Sequence, residues 1–286
     1  MHSHNGVAFV RTMMDLDQRA DQRKRLDFRP VKVAYGVSGT ANGSSIVHLG
    51  DTSVICGIKA EIETNPKSHF NFNISKRGQR DPLDFEESTY TNIFAQLKLP
   101  ELEIDESRRW VLYVDLRIRA DAGSIFTAMS VALLIALYDC VLPVALLTET
   151  NDIMLPSFAE KVVRIDLASI PIVLEAYGFI SKDMQIVIDC TTLEEASADA
   201  KCIVAVNSTD LYHFSMIRMV PLSCSVFTMP ILLGTVSNLS YKLLSNLLQF
   251  LRENEEEDHF NQDLAHGINM MSIESLNIES MEAVDE

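Results

Sequence analysis

Beyond Arg252 the sequence contains no lysine or arginine, and that absence decides how its charge is read. The formal net charge of the 286-residue chain is −16, which, spread evenly, would exclude a polyanionic partner. It is not spread evenly. From Glu253 to Glu286 eleven acidic residues stand without a cation, so residues 1–252 carry only −5. Several of the 24 basic side chains cluster there: Arg19, Arg23, Lys24 and Arg25; Lys76, Arg77 and Arg80; Arg108 and Arg109 with Arg117 and Arg119. Local positive patches are therefore open to a nucleic acid.

Metal-type spacing is also missing. The five cysteines, Cys56, Cys140, Cys190, Cys202 and Cys224, make no CxxC pair and an odd total, and read as reduced core thiols of an intracellular protein. His2, His4, His48 and His69 are scattered without a ligand pattern, so neither a metal nor a cofactor is expected. The N-terminus has no apolar stretch of signal-peptide type, and the longest hydrophobic stretch, 128–137, is about half of what a bilayer needs. A soluble protein with no membrane partner is expected, and 47% hydrophobic residues are enough for a substantial core.

Four segments follow from the pattern. Residues 1–24 are an N-terminal extension with a weak helical signal at 7–14, 25–150 and 151–252 are two halves of one architecture, and 253–286 are an acidic disordered tail. In the first half, alternation predicts strands at 30–35, 44–49 and 53–62, with Asn42-Gly43 accepting positive φ in a hairpin turn. Residues 63–84 read as an exposed excursion with a short strand at 70–74, and 85–97 as a helix. A strand at 110–118 leads through Ala120-Asp-Ala-Gly123 into a helix over 124–138, apolar nearly all round, with Ser124 placed to cap its orphan amides. The second half predicts strands at 162–167, 170–176, 185–188, 201–207 and 212–220 and a helix at 236–252. The sum is an α+β chain of two related β-rich layers with packed helices.

Asp27-Phe-Arg-Pro30, then Asn42-Gly-Ser-Ser-Ile-Val47, then the run from Leu49-Gly-Asp-Thr52 to Lys59-Ala-Glu61 resembles the N-terminal signature of the RNase PH family. Trp110-Val-Leu-Tyr-Val-Asp115, the Ala-Gly-Ser helix start at 122–124 and Ile188-Asp-Cys-Thr-Thr-Leu-Glu-Glu195 extend the resemblance over roughly residues 19–252. Within that family the chain is most similar to the non-catalytic ring subunits of the eukaryotic RNA exosome, its components seven and eight, more closely the latter. The resemblance implies an RNase PH-type fold in a heterohexameric ring with other RNase PH-like subunits. It also implies RNA-binding cap subunits, RNA and an associated 3′–5′ exonuclease as partners, with work in rRNA maturation and mRNA turnover in nucleus, nucleolus and cytoplasm.

Phosphorolysis needs donors that hold inorganic phosphate and acids that assist departure of the sugar oxygen. Active members of the family resembled place an arginine after the Gly-Ser or Gly-Thr that opens the buried helix. Here Gly123-Ser124 is followed by Ile125, a degenerate phosphate site. Active members also carry paired aspartates in the acidic segment, where this chain has Asp189, Glu194 and Glu195, a degenerate set. Asp189 reads as a turn cap and the two glutamates as surface or interface charges. No catalytic residue is assigned. The alternative is an active phosphate-dependent 3′–5′ exoribonuclease that completes its site with a partner subunit. Candidate RNA contacts are Lys76, Arg77 and Arg80 in one loop and Arg108 and Arg109, set against their reading as solvated surface. The acidic tail reads as a solubilising appendage, with screening of the ring from non-specific RNA as the other reading.

Overall fold

Period-two alternation of apolar and polar residues builds the first half. The computed structural model describes residues 4–79, 83–95, 97–150, 152–155, 162–180, 184–208, 211–219, 228–261 and 269–273. Helix α1 (His4–Asp15) precedes strands β1 (Val31–Tyr35), β2 (Gly43–Leu49), β3 (Thr52–Thr64) and β4 (Phe70–Lys76). Helix α2 (Asp84–Phe94), β5 (Arg108–Ala120) and α3 (Ile125–Asp139) follow, then four two-residue strands: β6 (Leu142–Pro143), β7 (Leu146–Leu147), β8 (Ile153–Met154) and β9 (Val162–Val163). Last come β10 (Ile172–Ile180), β11 (Met184–Ile188), α4 (Thr192–Ser197), β12 (Ala200–Val206), β13 (Leu211–Met219), α5 (Thr228–Asn261) and β14 (Asn269–Ile273).

The first sheet runs β14-β1-β2-β3-β5-β4. All its pairings are antiparallel except β4 with β5. That pairing corrects the expectation of an exposed excursion over 63–84. Phe70, Phe72 and Ile74 are buried while Asn71 and Asn73 face out, and the two phenylalanines meet α2, Phe70 4.9 Å from Phe94 and Phe72 5.5 Å from Tyr90 between ring centroids. The Asn42-Gly43 expectation is also corrected. Positive φ falls at Gly36, and Gly43 opens β2 instead, where a Cβ would lie 2.3 Å from the carbonyl oxygen of Ala136. Glycine is required there for close approach of the sheet to α3.

Helix α3 is buried without a break from Phe126 to Leu137 because it lies between two sheets, β2 and β3 on one side and β10 on the other. Its two buried hydroxyls serve the second sheet, β11-β10-β12-β13: Ser130 Oγ accepts the Val173 amide at 2.7 Å and Thr127 Oγ1 that of Glu175 at 3.1 Å. Helix α5 covers β10 and β12, and one apolar cluster reaches from Val31 to Leu251.

Both ends differ from expectation. Helix α1 packs on α4, placing Val10 and Met14 in a smaller cluster with Tyr177, Phe179 and Val187. Helix α5 continues to Asn261, and Asn269–Ile273 pairs with β1 in the register Val31↔Ile273 to Tyr35↔Asn269, where a tail without structure was expected from 253. The physical reason for β14 is the open edge of β1, whose unpaired amides and carbonyls accept a short, uncharged, largely apolar segment. Cys56, Cys140, Cys190 and Cys202 are buried free thiols, burial pushing Cys140 up to about 12; Cys224 lies outside the described residues. Among the described residues no helix is long and apolar enough to cross a membrane.

Candidate functional site

The chain leaves β5 at Ala120 and enters α3 through Gly123, at φ +100°, where a Cβ would stand 2.2 Å from the Cys190 carbonyl oxygen. Glycine alone lets this turn lie against the acidic segment. Ser124 is also left-handed, φ +56°, and does not cap the helix as expected: its Oγ donates to the Cys190 carbonyl at 3.3 Å. The orphan amides go elsewhere. Ser124 N donates to Glu195 Oε1 at 2.7 Å and Phe126 N to Glu175 Oε2 at 3.1 Å. Two carboxylates of the chain itself thus sit where a helix N-terminus would receive an external anion.

Glu195 Oε1 also accepts the Tyr177 hydroxyl at 2.7 Å. Glu175 is almost fully buried and forms an ion pair with Lys201, whose ammonium lies 5.1 Å from the Phe126 ring centroid and 5.5 Å from that of Tyr177. Burial first, and then the neighbouring Glu175 charge, push the Glu195 carboxyl up to about 7 against the pull of the Ser124 amide and the Tyr177 hydroxyl. Burial works against the Lys201 charge, but Glu175 outweighs it and raises its pKa.

Asp189 is no local turn cap, and Glu194 is no surface charge. Asp189 is completely buried at φ +46°; its carboxylate accepts Arg29 Nη2 at 2.6 Å, the Arg29 amide at 2.6 Å and Arg23 Nη1 at 2.9 Å. Arg29 then reaches the carbonyls of Ala122 and Gly123 at 3.0 and 3.1 Å. Glu194 accepts two parallel bonds from one edge of the Arg19 guanidinium, Nε at 2.9 and Nη2 at 2.7 Å, and closes a capping box with Thr191 at the start of α4. Burial opposes the charge of Arg19, and Glu194 more than restores it. Glu195 is partly buried rather than a surface charge. The physical reason for these corrections is desolvation: acids drawn into a packed interface need cations, and the N-terminal arginines supply them.

The structure therefore brings Gly123, Ser124 and Ile125 together with Asp189, Glu194 and Glu195. Lys76 joins them at one remove, 2.6 Å from Asp121, whose other oxygen takes the Gly123 amide at 3.0 Å. Arg77 is exposed beside it, and Arg80 lies outside the described residues. Arg108 and Arg109 stand at the opposite end of β5, about 30 Å away at the rise of a strand. Arg108 is tied to Asp105 at 2.6 Å, and Arg109 Nε is buried without a hydrogen-bond partner. These basic residues do not make one patch. Arg19, Arg23, Arg29, Glu175, Tyr177 and Lys201 were missed as site residues. A usable signal was an acid inside the apolar run of β10, which requires a buried partner; Lys201 lies opposite Tyr177 on β12.

Residues 27–143 match the model of the 3′ exoribonuclease family, domain 1, RNase PH. Over those residues the chain is similar to an RNase PH domain. That match takes in β1 to β5 and all of α3, while the acidic segment at 189–195 and β14 lie beyond it. Among curated relatives, the exosome complex component Rrp42 of Sulfurisphaera tokodaii is 26% identical over 204 residues, 64% of this chain and 72% of that protein. The exosome complex component rrp43 of Schizosaccharomyces pombe is 30% identical over 160 residues, 49% of this chain and 59% of the relative, so much of its length is unmatched. The chain superimposes on a solved archaeal exosome core with a TM-score of 0.66 and 18% identity, covering 85% of this chain and 96% of that one. An Archaeoglobus fulgidus exosome with RNA bound to the active site gives 0.62 and 17%, covering 86% and 97%. The α+β architecture of the chain is thus the RNase PH-type fold.

Proposed function

We propose that this chain is a non-catalytic subunit of an exosome ring, completing a heterohexamer with other RNase PH-like subunits and guiding RNA toward a 3′–5′ exonuclease elsewhere in the assembly. RNA-binding cap subunits complete its set of partners, and nucleus, nucleolus and cytoplasm are its compartments. Exosome components among the curated relatives support the ring role. One observation carries the catalytic silence: the amides at the start of α3 are held by Glu195 and Glu175, with Ile125 where a phosphate-binding cation would stand. Inorganic phosphate would have to displace two carboxylates and sit beside their charge, which Coulomb repulsion opposes. The acids beside the helix are equally committed, Asp189 to Arg23 and Arg29, and Glu194 to Arg19.

The decisive experiment is the native mass of the endogenous protein after gentle affinity purification, with its partners identified. A stoichiometric complex with several other RNase PH-like chains supports the proposal. A monomer or homohexamer that releases nucleoside diphosphates from RNA in the presence of phosphate overturns it in favour of an active exoribonuclease.

A further inference from the structure

Helix α3 covers one face of the first sheet and leaves the other open. On the open face the register aligns Lys32 of β1 with His48 of β2, and Ile46, Ile55, Arg117 and Ser75 across β2, β3, β5 and β4. Lys32, His48, Arg117 and Arg119 are exposed, Arg119 beside the bulge opposite Ser53 and Val54. Lys76 and Arg77 close the same end of the sheet. Lys32, Arg77, Arg117 and Arg119 have no ion-pair partner among the described residues. The nearby acids are Asp51, Asp115, bonded to Asn73, and Asp121, bonded to Lys76.

Strand β14 delivers its chain to this place. It runs antiparallel to β1 with Ser272 opposite Lys32 and ends at Ile273 opposite Val31, so the chain leaves the sheet at the cationic end. Residues 274–286 hold Glu274, Glu279, Glu282, Asp285 and Glu286 and no cation. Thirteen extended residues reach about 43 Å, whereas the five strand spacings from β14 to β4 span about 24 Å.

We propose that residues 274–286 dock in cis as an acidic strap on the open, cationic end of the first sheet, so that an external polyanion meets this face only after displacing the chain's own carboxylates. Charge complementarity and the exit point of β14 choose this occupant over a second chain. The inference is independent of the ring assignment.

Zero-length carbodiimide cross-linking of the full-length chain, read by peptide mass spectrometry, tests it without any RNA. The expected products join Lys32 or Lys76 to the carboxylates of 274–286 within one chain, at a yield independent of protein concentration. They should fade in about 1 M salt, where screening shortens to about 3 Å. The double variant R117E/R119E, at two exposed positions, should lower the yield about tenfold, the effect of losing two exposed ion pairs. Tail carboxylates linked only to other lysines, linked only between chains, or linked equally in the double variant would each overturn the proposal.

Discussion

Arg19 and Glu194 form a two-pronged ion pair with the arginine 2% and the glutamate 3% exposed, 175 residues apart in sequence. Removing one partner strands the other charge in a packed interface, at a cost of about 3–5 kcal/mol. Arg19→Ala is therefore expected to lower the thermal midpoint by about 10 °C. The double variant R19M/E194L, which removes both charges, should recover most of that loss. Scanning calorimetry of both proteins checks this, and equal losses would show that the pair is no unit.

Glu195 predicts an unusual slope of stability against pH. Its folded value of about 7 lies above the ordinary 4.5 of an unfolded glutamate. The folded chain therefore holds more protons between these values; the contribution is complete below about 4.5 and is lost as the pH rises through 7. Glu195→Gln keeps an acceptor for the Ser124 amide and the Tyr177 hydroxyl without the charge. It should flatten this slope and raise the denaturant midpoint at pH above 7, measured by urea unfolding across the window.

Restoring the arginine alone should not restore chemistry. In Ile125→Arg the new guanidinium faces a helix start already occupied by Glu195 and Glu175, and it pairs with them before it meets phosphate. Phosphate-dependent release of nucleoside diphosphates should stay at background. Activity in this single variant would favour an active site lacking only its cation.

Two glycines should behave oppositely. Gly123→Ala must hold φ +100° with its Cβ 2.2 Å from a backbone oxygen, whereas Gly57, in mid-strand, has nothing within 4 Å of an added Cβ. Gly123→Ala is expected to cost at least about 3 kcal/mol, and Gly57→Ala to be neutral or slightly stabilising. Thermal melts of the two variants separate these outcomes.

The sequence showed β1, β2, β3, β5 and α3 plainly, because alternation and an apolar helix are local patterns. It showed β4 as a surface excursion because a parallel partner, β5, lies 38 residues away at the Phe70–Arg108 starts and leaves no short-range mark. The site was legible in part. Ile125 stands out against the family pattern, but the fate of the helix amides depends on Glu175 and Glu195, which only the fold brings to Phe126 and Ser124. The N-terminal arginines were misleading for the same reason. A basic run looks like exposed charge until Asp189 and Glu194 are seen against it.

Helix α3 also constrains how the chain is made. With no polar face, it leaves the ribosome complete at Asp139, while β12, part of the sheet that covers its second side, ends only at Val206. At ordinary elongation rates that interval lasts roughly 3–13 s, during which a bare apolar cylinder is anchored to the first sheet alone. The nascent chain is thus most vulnerable to aggregation in mid-synthesis, and its dependence on holding chaperones should peak while the second sheet is still being translated.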